Sequence, residues 1–67
     1  MKKILLNIRQ IEKVVLNVDV DRTRLMVINE NHEKVYEHEH DFGEINKVYE
    51  VITNALLNGK QYVELEL

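Results

Sequence analysis

A chain of 67 residues and 8.0 kDa is one small domain, read here as spanning 1–67. A domain of this size buries only about 60% of the surface its unfolded chain exposes, which excludes enzymes that need a nucleotide-binding sheet plus a substrate domain. With 45% hydrophobic and 31% charged residues the chain is too apolar for disorder and too charged for a membrane span; no cysteine removes disulfides and thiolate chemistry, and a net charge of −3 argues against general nucleic-acid binding.

Apolar residues alternate with polar ones up to about residue 40, which predicts strands. The first is Lys3–Arg9, with Ile4, Leu6 and Ile8 on one face. The second is Lys13–Val20, crowded with β-branched residues and presenting Val14, Leu16, Val18 and Val20 together. The third is Arg24–Asn29, and the fourth, Glu33–Glu39, is polar enough to be an edge strand. Short connections predict hairpins and a sequential antiparallel meander. Ile11 is out of place in the first turn and points to a bulge or a longer strand pair there.

The rhythm changes at Phe42. Asp41 has the character of an N-cap, and Glu44 stands at the capping-box position. Ile45, Val48, Tyr49, Ile52 and Leu56 recur at helical spacing, and Asn58-Gly59 supplies a left-handed stop, so a helix is expected over about 42–58. Gln61–Leu67 then returns to period two as a last strand. The expected fold is α+β: a two-layer ββββαβ domain whose mainly antiparallel sheet carries one amphipathic helix on one face. Leu5, Val15, Met26 and Ile28 fall on the opposite face, which one helix cannot cover. A homodimer, a second copy covering that face, is one expectation that follows.

Charge is uneven along the chain. Residues 1–28 hold six cations against three acids, and residues 29–50 hold two against seven. The acidic segment suggests a docking surface for a protein with a basic surface, with Glu33, Glu37, Glu39, Asp41 and Glu44 as partner-binding carboxylates. A regulatory module of this kind works by steric or electrostatic occlusion or by strand addition; an inhibitor of a host nucleic-acid enzyme, of phage type, is one concrete member. Usage rich in Lys, Ile, Asn and Glu, with Ala55 the only alanine, fits an AT-rich bacterial or phage genome.

Two alternatives compete. His38 and His40 share a strand face and, with His32, could ligate a metal; the surrounding acids favour imidazolium and so a pH sensor. Lys2, Lys3, Arg9, Arg22 and Arg24 offer a nucleic-acid surface, but no aromatic lies in residues 1–35 to provide stacking. Serine is absent, and Gly43 and Gly59 are isolated, so neither a serine triad nor a phosphate-cradling loop can form. The chain is therefore expected to be non-enzymatic and cytoplasmic, without a cofactor. Lys2-Lys3-Ile4-Leu5-Leu6 resembles the start of a signal peptide, but Asn7 and Arg9 interrupt the apolar run.

Overall fold

The computed structural model describes residues 3–66; the expectations for Lys2 and Leu67 lie outside them. The order is β1 (Lys3–Asn7), a 3-10 turn (Ile8–Gln10), β2 (Ile11–Val18), β3 (Thr23–Asn29), β4 (Lys34–His40), α1 (Phe42–Leu57) and β5 (Tyr62–Glu66). This is the expected ββββαβ order of an α+β fold, with the strands divided between two antiparallel sheets. β2, β3 and β4 form the meander, while β1 leaves it and pairs with β5.

The division begins at Asn7. Its side-chain oxygen accepts the Arg9 N–H at 3.1 Å, and Ile11 N–H closes the turn on the Ile8 carbonyl. Asx capping of this kind competes with a strand ladder and turns the chain. Ile8 is buried beneath the turn, so it satisfies the alternation with Ile4 and Leu6 without being part of a strand. Ile11 opens β2, and the register slips between Ile11 and Lys13, as the misplaced apolar residue suggested.

The other connections have local causes. β2 and β3 join across Asp19–Arg22, where the Asp19 N–H donates to the Arg22 carbonyl at 2.9 Å. Between β3 and β4 the Asn29 side chain accepts the N–H groups of Asn31 and Glu33, both at 2.9 Å, and His32 takes a left-handed φ of 63°. The helix begins where the Asp41 side chain accepts the Glu44 N–H at 2.9 Å. It ends in a Schellman closure: Gly59 N–H reaches the Leu56 carbonyl and Lys60 N–H the Ala55 carbonyl, with Gly59 at φ 66°.

One core serves both sheets. Leu6, Ile8, Leu25, Val27, Tyr36, Ile45, Ile52, Ala55 and Leu65 are buried together. Leu25, Ile45 and Ile52 are fully enclosed, each contributing about 1.5–3 kcal/mol. The helix lies mainly over β3, β4, β5 and the 3-10 turn. β2 is left at the margin: Val14 and Leu16 are half-buried, and Val18, expected beneath the helix, is 67% exposed. Leu56 is also half-exposed although it continues the helix stripe. The expected spare face is not continuous, because Leu5 belongs to the small sheet while Val15, Met26 and Ile28 line the outer side of the large one. No described helix is long and apolar enough to cross a membrane.

Candidate functional site

β4 is the strand on which the sequence placed most of its chemistry, and the register fixes where each side chain goes. Thr23, Leu25 and Val27 of β3 stand opposite His40, His38 and Tyr36 of β4. These are core-side residues, so Tyr36, His38 and His40 share the helix-facing side. Arg24 and Met26 stand opposite Glu39 and Glu37 on the outer side. The expected alternation is therefore present over Tyr36–His40, with the histidine row on the helix side, where His38 is half-buried and His40 exposed.

The backbone alternates too. Antiparallel ladders exchange hydrogen bonds at every second residue pair. The Asp19–Arg22 bond fixes that phase for the large sheet. Arg24 and Met26 then direct their backbone groups toward β2, and Thr23, Leu25 and Val27 toward β4. On β4, Tyr36, His38 and His40 bond back to β3, whereas Glu37 and Glu39 turn their N–H and C=O groups outward along an edge that pairs with no described strand.

The carboxylates on this edge have partners within the chain. Glu39 accepts Nε and Nη2 of Arg24 at 3.1 and 3.0 Å, and its other oxygen lies 3.5 Å from Nη1 of Arg22. Glu37 lies 3.2 Å from the Lys34 ammonium. All of these side chains are partly exposed, and pairs of this kind are worth only about 0–1 kcal/mol. Beside Glu39, an open hollow of about 370 Å³ is lined by Asn17, Val18, Asp19, Arg22 and Arg24.

At the far end of the strand, Asp41 caps the helix. The Glu44 N–H, helped by nearby His40 and Lys47, holds the Asp41 carboxyl below its ordinary range. Glu33 sits in the turn before β4, where its backbone N–H is held by Asn29. Glu44 stands in the first helical turn and is exposed. The five expected carboxylates thus occupy one strand and its two ends.

The two alternatives fare differently from one another. The rings of His38 and His40 stack with centroids 6.0 Å apart, but His32 does not join them. It lies in the turn before β4, its Nδ1 3.2 Å from Glu12, and a strand from Lys34 to His40 is about 20 Å long. The structure thus does not bring the three histidines together, and among the described residues no three His, Asp or Glu side chains are placed to share a metal.

The cations expected to form a nucleic-acid surface are scattered. Arg22 and Arg24 bind Glu39, Lys3 pairs with Glu64 at 3.3 Å, and Arg9 sits in the 3-10 turn at the opposite end of β2. The sequence reading missed two features. One is the ion cluster around Glu39, whose only trace in sequence is that Arg22 and Arg24 are two apart in a chain segment that becomes the neighbour of β4. The other is Tyr36, which is buried and whose hydroxyl donates to the Glu66 carbonyl at 3.3 Å, tying β4 to the small sheet. No family, curated protein or solved structure matches this chain.

Proposed function

We propose that this is a small, non-enzymatic protein-binding module that takes an extended, cation-bearing segment of another protein along the open edge of β4. The observation that supports it is a coincidence on two residues: Glu37 and Glu39 turn both their backbone hydrogen-bonding groups and their carboxylates to places a neighbouring strand can reach. Strand addition supplies affinity through the main chain, and flanking side chains supply selectivity. Glu37 and Glu39 give up Lys34, Arg22 and Arg24 at little cost, because half-exposed ion pairs contribute little to stability. Glu33 at one end and Asp41 and Glu44 at the other extend the negative field and speed encounter with a basic surface.

The test is capture from an extract of the cell that encodes the protein, comparing the wild-type chain with the Glu37→Lys, Glu39→Lys double variant after circular dichroism shows both folded. A basic protein retained by the wild type, and lost both from the variant and at high salt, supports the reading. Equal retention by both chains overturns it.

A further inference from the structure

The other outer strand of the large sheet, β2, has its charges, Glu12 and Lys13, and its register shift confined to its start and leaves the rest of its edge unblocked. β4 carries Lys34, Glu37, Glu39 and two histidines, whereas the stretch Val14–Val18 holds no charge, and the chain has no proline to interrupt it. β2 is also the longest strand, at 8 residues. Long apolar edges of this sort recruit further strands. The phase set by the Asp19–Arg22 bond directs the backbone groups of Val14, Leu16 and Val18 outward, away from β3. The same residues present their side chains on the helix side, where α1 leaves them half-covered or exposed.

We propose that a second copy of this chain pairs with β2, edge to edge and antiparallel, about a two-fold axis at Leu16. In that register Leu16 faces its own counterpart, and Val14 of each copy faces Val18 of the other. Lys13 of each copy stands opposite Asp19 of the other, an opposite-charge pair on each side of the axis. Isologous contacts require such self-complementarity, and cross-strand pairs of β-branched and oppositely charged residues stabilise a sheet. The result is one continuous six-stranded sheet in which each uncovered valine–leucine row is flanked by the other. The proposal uses the edge opposite the one assigned to a foreign partner, so the two readings stand or fall separately.

Sedimentation velocity from micromolar to millimolar concentration tests it. The wild type is expected to be a dimer, and Val18→Lys a folded monomer, because Val18 is exposed and a lysine there meets Val14 of the second copy. Lys13→Asp and Asp19→Lys each turn both charge pairs repulsive and weaken dimerisation roughly tenfold. Mixing those two variants restores opposite charges on both sides of the axis, so a mixed dimer forms at concentrations where either variant alone is mainly monomeric. A wild type that stays monomeric throughout overturns the proposal. So does a dimer that Val18→Lys and Lys13→Asp leave intact, which would seat the second copy on another surface.

Discussion

Tyr36 does more than fill the core. Burial pushes its hydroxyl up from the ordinary tyrosine range, and the Glu44 carboxylate adds to the shift. A group whose folded value is raised contributes stability that is fully present below its unfolded pKa, about 10, and lost as pH climbs through the folded value. Wild-type stability should therefore fall from about pH 10 upward more steeply than that of Tyr36→Phe. At neutral pH the same variant loses one hydroxyl–carbonyl bond and about 0.5–1.5 kcal/mol. Urea unfolding at pH 7 and across the alkaline range checks both. Asp41 has the opposite sign. Its value is lowered by the Glu44 N–H, so its contribution is present above the unfolded value of about 4 and lost as pH falls through the folded one. Asp41→Asn retains a capping oxygen but cannot titrate. Acid unfolding of this variant should show a shallower slope below about pH 4 than the wild type, and an identical slope would contradict the assignment.

At the scale of elements, the helix was the most legible part of the sequence. Asp41, Glu44 and Gly59 act locally, and local signals do not depend on what the rest of the chain does. Gly59 has open space where a Cβ would stand, so only its backbone matters. Gly59→Ala should cost about 1 kcal/mol and Gly59→Asn less, measured by thermal unfolding. Ile52 is fully enclosed, and Ile52→Val should cost about 0.5–1.5 kcal/mol, against 2–5 for Ile52→Ala, a loss comparable to the whole stability of so small a domain. The strands were legible as elements but not as partners. Ile8 fits the period of β1 although it lies in a 3-10 turn, because alternation records which side is buried and not whether the chain remains extended. Asn7 carried the turn signal, yet a single capping side chain is common inside polar strand faces. The candidate site divides in the same way. Alternation put Tyr36, His38 and His40 on one side and Glu37 and Glu39 on the other, whereas the Arg22–Glu39–Arg24 cluster depends on a pairing between strands that no spacing within one segment reveals.

At the scale of the molecule, α1 holds together two sheets that lack a ladder between them among the described residues. Leu6 and Leu65 come from one sheet and Leu25, Val27 and Tyr36 from the other, so neither can lose the core alone. A single unfolding transition, the same by far-ultraviolet dichroism and by tyrosine fluorescence, is expected; β1 and β5 melting first would show two independent units. The same arrangement leaves the outer edges of the large sheet open, which is where the chain is proposed to act. Residue-resolved amide hydrogen exchange tests that most directly, measured on the isolated protein and again with the captured basic partner. The account predicts fast exchange at Glu37 and Glu39 beside slow exchange at His38 in the isolated protein, and protection of Glu37 and Glu39 once the partner is bound. Slow exchange at Glu37 and Glu39 without a partner, or no change when it binds, would contradict it.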